Sequence, residues 1–242
     1  MIKFFRKIRQ KMLTENKFSK YLLYAFGEIA LVMIGILLAI QVNNWNEENK
    51  TRKEESKILS EIKLALKNDL KYIDANIWTH RRGKRNLTII KEQFQLKKTT
   101  NDSLNFFYYS LLFTNTSDIT TGPFETLKSK GFDLISNDTL RNKILFYYEQ
   151  TAKYDLDKEL FLSKKFTVEY CTKLFNTVAW FSNSDSFKMN EIIPNDLESL
   201  KNDKVFLNLL NTKIDELNAQ THIKKEAKEE IQNLLKLIDD EL

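Results

Sequence analysis

The sequence predicts an all-α fold in which one N-terminal transmembrane helix continues into a helical stalk and an antiparallel helical-bundle ectodomain. Three observations predict it. The 242 residues include only 5 glycines and 2 prolines, whereas an all-β protein needs a turn every ~8–12 residues. The run YLLYAFGEIALVMIGILLAI is apolar except for one glutamate. Beyond this run, apolar residues recur at steps of three and four, as in a helix with one buried face.

Residues 21–43 are predicted to form the transmembrane helix, because about 20 helical residues span the ~30 Å of a bilayer core. Tyr21 and Tyr24 at one end and Trp45 just past the other are suitable interface anchors. A buried core helix is rarely apolar on all sides. A cleaved signal peptide has a shorter apolar region and a small-residue cleavage site. The polar sequence that follows Ile40 has no such site, so we interpret the segment as an uncleaved anchor.

The positive charge of the chain is concentrated before this segment. Residues 1–20 hold seven Lys and Arg, whereas residues 41–60 hold four, balanced by four glutamates. The positive-inside rule then predicts a basic cytoplasmic juxtamembrane segment at 1–20, in which apolar residues at helical spacing favour an amphipathic helix on the inner leaflet. The residues after the span are predicted to lie on the opposite side. Because residues 44–242 sum to zero charge, no nucleic-acid partner is expected.

A carboxylate within the predicted span marks a candidate interaction face. Glu28, Val32, Gly35 and Ala39 share one side of the helix, and the last two form a small-xxx-small pair that permits close helix approach. One hypothesis is a helix–helix interface, with a second copy or another membrane protein, in which Glu28 pairs with a partner or carries a proton. The alternative is a protonated Glu28, or one that reaches toward Lys20 and the headgroups.

The stalk is predicted over 44–97. Its apolar stripe comprises Ile58, Ile62, Leu66, Leu70, Ile73 and Ile77, and a second stripe at Leu87, Ile90 and Phe94 extends the helix to about Leu96. Neither Gly nor Pro occurs between Gly35 and Gly83, so the transmembrane helix is expected to continue into the stalk.

The bundle is predicted over 98–242, with boundaries given by capping residues. Asp102 or Ser103 starts a short helix through Leu112. Pro123 starts a helix that Gly131 ends, and Asn137 caps the next.

The later helices of the bundle are bounded less sharply. The helix capped by Asn137 either continues to about Trp180 or bends near Tyr154–Lys158. Pro194-Asn195 begins a helix through Leu217, and a separate last helix carries Ile223 to Ile238.

No catalytic, cofactor-binding or metal-binding residues are predicted. The chain has no phosphate-binding glycine loop, hydrolase nucleophile elbow, zinc-protease motif or EF-hand. His80 and His222 lie in charged sequence and suggest no metal site. Cys171 falls on an apolar stripe, which favours a core position over a cross-link between two copies.

Two further segments have open interpretations. HRRGKR at 80–85 is the most basic part of the chain after the span, and is either a solvated face or a site for phosphate or anionic lipid. The four adjacent aromatics Phe106 to Tyr109 cannot all face one core, so part of that run is predicted to line a pocket or an interface.

Two stretches of the chain resemble an uncharacterised family, a domain of unknown function in single-span membrane proteins of Gram-negative bacteria. They are the N-terminal MIKFFRKIRQKMLTENKFSKYLLYAFGEIALVMIGILLAIQVNNWNEE and, at 125–144, ETLKSKGFDLISNDTLRNKI. The resemblance implies an inner-membrane location with a periplasmic C-terminal domain, and it implies no chemistry.

These observations favour a membrane-anchored interaction, scaffold or sensory module without catalysis of its own. The alternative is a subunit of a larger cell-envelope complex that docks through Glu28. The partners expected are the bilayer and, through the span, a second copy or another membrane protein.

Overall fold

In a computed structural model, the described residues are 18–96, 104–112, 119–151, 161–175 and 192–242. Within them the chain is all-α, as predicted, with seven α-helices. They are α1 (Phe18–Gln95), α2 (Asn105–Tyr108), α3 (Gly122–Lys130), α4 (Asp138–Phe146), α5 (Phe161–Leu174), α6 (Leu197–Asn202) and α7 (Lys204–Glu241). Short helical turns extend three of these: 3-10 turns at Tyr109–Leu112 after α2 and at Phe132–Leu134 after α3, and a π turn at Tyr147–Thr151 after α4.

The predicted continuity of the first helix is confirmed. α1 has 78 residues and passes without interruption from the apolar segment into the amphipathic one. The chain divides into two compact units, Met1–Ser56 and Lys57–Leu242. The division falls within the segment predicted as the stalk.

In the second unit, α1 and α7 lie antiparallel. Lys63 pairs with Asp239 at 2.5 Å, Asp74 with Lys228 at 2.6 Å, and the Lys84 Nζ donates to Asn218 Oδ1 at 2.7 Å. From one of these α1 residues to the next, the partner moves by the same number of residues toward the start of α7. The intervals of about three helical turns return to the same face, so the two helices stay in register throughout.

A first core lies between the α1–α7 pair and the helices α3 and α4. It buries the predicted stripe of α1 against α3, α4 and the C-terminal half of α7. Its α1 and α7 members are Ile58, Leu59, Ile62, Leu66, Ile73, Ile77, Ala227, Ile231, Leu234 and Ile238. Beside it the buried Asp69 accepts hydrogen bonds from the Thr120 amide at 3.1 Å and the Thr120 hydroxyl at 2.8 Å.

A second core surrounds the later part of α1. Leu87, Ile90 and Phe94 pack against α2, α5 and the N-terminal half of α7, together with Tyr108, Cys171, Phe175, Phe206, Leu210 and Leu217. The predicted burial of Cys171 is confirmed. The prediction that the four-aromatic run is divided is also confirmed, since Tyr108 is buried and Phe106 is exposed.

Several predicted helix ends are confirmed. Pro123 lies in the first turn of α3, and Gly131 follows its last residue with a φ of 98°, which a glycine adopts without strain. The Asn137 side chain accepts hydrogen bonds from the amides of Thr139 and Leu140 and caps α4. The predicted short helix through Leu112 corresponds to α2 and its 3-10 extension.

The prediction of a continuous helix to Trp180 is wrong. α4 gives way to a π turn, and α5 ends at Leu174 because Phe175 forms an antiparallel bridge with Pro194. The alternative bend at Tyr154–Lys158, the loops at 97–101 and 182–186 and nearly all of the basic segment 1–20 lie outside the described residues.

The predicted break between Leu217 and Ile223 is also wrong. α6 starts at Leu197, capped by Asp196, and α7 is one helix of 38 residues. The break lies at Asp203, whose carboxylate accepts from the amides of Val205 and Phe206 and so caps α7. Beyond it no Gly or Pro interrupts the helix, and polar Gln220 is buried within it.

Candidate functional site

The first part of α1 presents apolar side chains on every side. From Leu22 to Trp45, each large apolar residue whose side chain is described is exposed. Within the described residues, one helix is long and apolar enough to cross a membrane, and it lies near the N-terminus, where signal sequences have the same properties. This segment is the first candidate site.

The predicted interaction face lies on this segment. Glu28, Val32, Gly35 and Ala39 all belong to α1 and follow one another at steps of four, three and four, so they share a helix face. Val32 is exposed and Glu28 is half-buried. Apart from its chain neighbours and the backbone of its own helix, no heavy atom lies within 4 Å of the position that a Cβ on Gly35 would take.

Of the three predicted interface anchors, the structure describes the side chain of one. Trp45 is exposed on α1. Tyr21 and Tyr24 belong to the same helix, and their side chains lie outside what the structure describes.

The second candidate site is a cavity of about 480 Å³ on the unit that contains residues 57–242. Its lining includes residues of the basic cluster and of the aromatic run, the two segments whose interpretation the sequence left open. It is lined by Trp78, Arg81, Arg82, Arg85, Asn86, Ile89 and Phe107. The prediction that the aromatic run lines a pocket is confirmed by Phe107.

The cavity follows one face of α1. At about 100° per residue, its six α1 residues fall within an arc of about 140°, and from Trp78 to Ile89 they extend about 16 Å along the helix. Three guanidinium groups therefore lie between an aromatic ring and an aliphatic side chain. The Arg82 guanidinium carbon lies 5.2 Å from the centre of the Trp78 ring, a cation–π contact that holds both side chains in place.

The opposite wall is positioned by a buried polar contact. The Asn86 amide nitrogen donates to the Ser110 hydroxyl at 3.0 Å, and both residues are buried. Phe107 precedes Ser110 by one helical turn, so this bond fixes the aromatic wall against α1. Neither residue stood out in the sequence, because the contact joins two separate elements.

The interpretation of the whole cluster 80–85 as a solvated face is wrong for its first residue. His80 is fully buried, and neither ring nitrogen has a hydrogen-bond partner. Burial, together with the nearby positive charges of Lys224 and Lys213, lowers its pKa to about 4. Along α1, His80 lies between Ile77 of the first core and Leu87 of the second. Gln220 of α7 is also buried.

Within the described ranges, no three His, Cys, Asp or Glu side chains are placed to hold a metal ion. Burial raises the pKa of the Cys171 thiol to about 12. His222 is exposed, and its Nε2 lies 3.3 Å from Glu226 Oε1.

Comparison with known proteins identifies the family. The model of a family of unknown function, DUF6090, matches residues 28–200. The chain belongs to this family. No curated protein matches the chain, and no solved structure does.

The DUF6090 match starts at Glu28 and includes the rest of the interaction face and every residue of the arginine-lined cavity. The interaction face and the cavity therefore lie within the part of the chain that the family model matches. Tyr21 and Tyr24 precede the match, and all of α7 follows it.

Proposed function

We propose that this protein is a membrane-anchored interaction module whose helical unit, residues 57–242, binds a partner or ligand outside the bilayer. The observation that supports the proposal most is the uniform exposure of apolar side chains from Leu22 to Trp45. Water does not favour such a surface, and soluble monomers seldom expose apolar patches this large. Lipid chains cover it at no cost, and the helix satisfies its own backbone hydrogen bonds within the bilayer.

The proposed orientation places residues 1–20 in the cytoplasm and residues 57–242 in the periplasm, with the anchor in the inner membrane. The support is the bias of seven Lys and Arg before the span to four after it. A reporter that is active only in the periplasm should be active when fused after Leu242 and inactive when fused at Lys3. The reverse pattern of activity contradicts this orientation.

Association is proposed to occur through the face of Glu28, Val32, Gly35 and Ala39. Gly35 allows close approach of a second helix, because no neighbouring atom occupies the space beside it. A second copy of the chain supplies the same face. The alternative function, a subunit of a larger envelope complex, is favoured by Glu28, because carboxylates within a span commonly serve a partner or a proton path.

Cross-linking in native membranes followed by purification separates these two functions. A homo-oligomer supports the interaction module, and a second membrane protein in constant ratio supports the complex subunit. A chain that purifies as a monomer without a partner contradicts both forms of association.

Substitutions test the proposed face directly. We expect Gly35→Leu to abolish association, because its side chain blocks close approach. Glu28→Leu should weaken association, since an interhelical hydrogen bond in a membrane contributes about 0.6–2 kcal/mol. Glu28→Gln should retain association. Ala30→Leu is the matched control, because Ala30 lies about 140° around the helix from Gly35. Equal association of all four variants contradicts the proposed face.

A further inference from the structure

We propose that the arginine-lined cavity binds an amphipathic phosphate ester: a phosphate group on the guanidinium groups of Arg81 and Arg85, with an apolar portion against Trp78, Ile89 and Phe107. This names the ligand class of the binding role proposed above, and it rests on that role.

The charge of the cavity favours a phosphate. Its lining carries three arginines and no acid. Within the described part of the chain, Arg81 and Arg85 form no ion pair with a carboxylate, and both are exposed. Guanidinium groups bind phosphate oxygens through paired, charge-assisted hydrogen bonds. Arg81 and Arg85 are separated by one helical turn, so two guanidiniums reach one anion.

The remaining walls favour an apolar portion on the same ligand. Trp78 is 60% exposed although tryptophan is highly buried on average, and Arg82 holds its ring in place. Ile89 and Phe107 are half-buried and pack against the second core with part of their surface. A free inorganic anion uses none of this apolar surface.

The size of the cavity favours a small molecule. Its volume of about 480 Å³ falls within the ~300–1,000 Å³ of most ligand pockets. A phosphate ester of this kind is either a soluble metabolite-sized molecule or a membrane lipid with a phosphate headgroup. Both present the same chemistry to the cavity.

Calorimetric titration of the full-length protein in a non-ionic detergent tests the proposal. The probes are phenyl phosphate, inorganic phosphate and dihexanoyl phosphatidic acid. We expect one site that binds at least one of the two esters more than ~10-fold tighter than inorganic phosphate, since ~1.4 kcal/mol of apolar contact gives this factor. Tighter binding of phenyl phosphate indicates a soluble ligand, and tighter binding of the phosphatidic acid indicates a lipid.

Two variants assign the binding to the cavity. Arg81→Gln with Arg85→Gln should weaken binding of either ester by more than ~10-fold, because both charge-assisted contacts are lost. Trp78→Ala should reduce the preference for the ester over inorganic phosphate. The control, Arg52→Gln with Lys53→Gln, removes the same charge from exposed positions of α1 outside the cavity, and should bind like the parent.

Three results overturn the proposal: neither ester binds saturably, neither ester binds tighter than inorganic phosphate, or the control loses as much affinity as the cavity variant. Binding in detergent does not depend on insertion into a bilayer. A failure of this proposal is therefore distinguishable from a failure of membrane anchoring.

Discussion

Helix α1 has two parts that are both rich in apolar residues, Leu22–Trp45 and residues 57–95. The large apolar side chains are exposed in the first part, and most are packed in the second. In the first part every large apolar side chain that is described is exposed. In the second part the apolar residues form a stripe, and its members pack in the two cores. The helical backbone is common to both. The arrangement of apolar residues around it therefore decides whether protein or lipid is the suitable surrounding.

Exposed apolar residues in the second part provide the sharpest contrast. Leu64 and Tyr72 are each 63% exposed on α1, and they are isolated among polar neighbours. Leu37 and Ile34 are 60% and 57% exposed within an unbroken apolar surface. Isolated apolar residues are ordinary on soluble surfaces, whereas a continuous apolar patch requires a covering.

The largest expected effect comes from arginine in the first part. We expect Ile34→Arg with Leu37→Arg to release the protein from carbonate-washed membranes, because each arginine near the middle of a span costs about 2.5–3.5 kcal/mol. Leu64→Arg with Tyr72→Arg, at similarly exposed positions, should leave membrane association unchanged. Equal release of both variants removes the distinction between the two parts.

Much of this contrast follows from the sequence alone, because it depends on local patterns. The apolar run, the three-and-four stripe, the Asn137 cap and the glycine after α3 each involve neighbours along the chain. The continuity of α7 differs from the predicted break between Leu217 and Ile223, and neither Gly nor Pro occurs there. The arginine-lined cavity required contacts between α1 and α2, which neither segment specifies by itself. For the same reason, the burial of His80 was not predicted.

The next effect in size concerns the packed stripe. Leu66 is fully buried in the first core, so Leu66→Ala should lower the free energy of unfolding by about 2–5 kcal/mol through lost burial and a cavity. Leu38→Ala, at an exposed position of the first part, should leave it nearly unchanged. Urea denaturation in detergent, followed by circular dichroism, measures both. Similar losses in the two variants contradict the difference in packing.

The smallest expected effect concerns His80, which is fully buried. Its pKa is lowered from 6.5 to about 4, so the unfolded chain binds a proton more readily than the folded one. Above about pH 6.5 this difference does not affect the free energy of unfolding. As the pH falls from there to about pH 4, it lowers the free energy of unfolding by up to about 1.4 kcal/mol per pH unit.

Two histidine variants isolate this contribution. His80→Leu should flatten the loss of stability between about pH 6.5 and pH 4, and it leaves no buried nitrogen without a partner. His222→Gln alters an exposed histidine paired with Glu226 and should keep the acid dependence of the parent. Thermal unfolding across this pH range measures the effect, and an unchanged pH dependence in His80→Leu rejects it.

Accessibility of single cysteines tests most directly whether the first part of α1 lies in the bilayer. Cys171 is buried and is replaced by alanine, and cysteine is introduced as Val32→Cys or Leu64→Cys, at positions 56% and 63% exposed. In native membranes a membrane-impermeant maleimide should label the cysteine at 64, and should leave the cysteine at 32 unlabelled until the bilayer is dissolved. Equally rapid labelling of both cysteines in intact membranes would contradict the account.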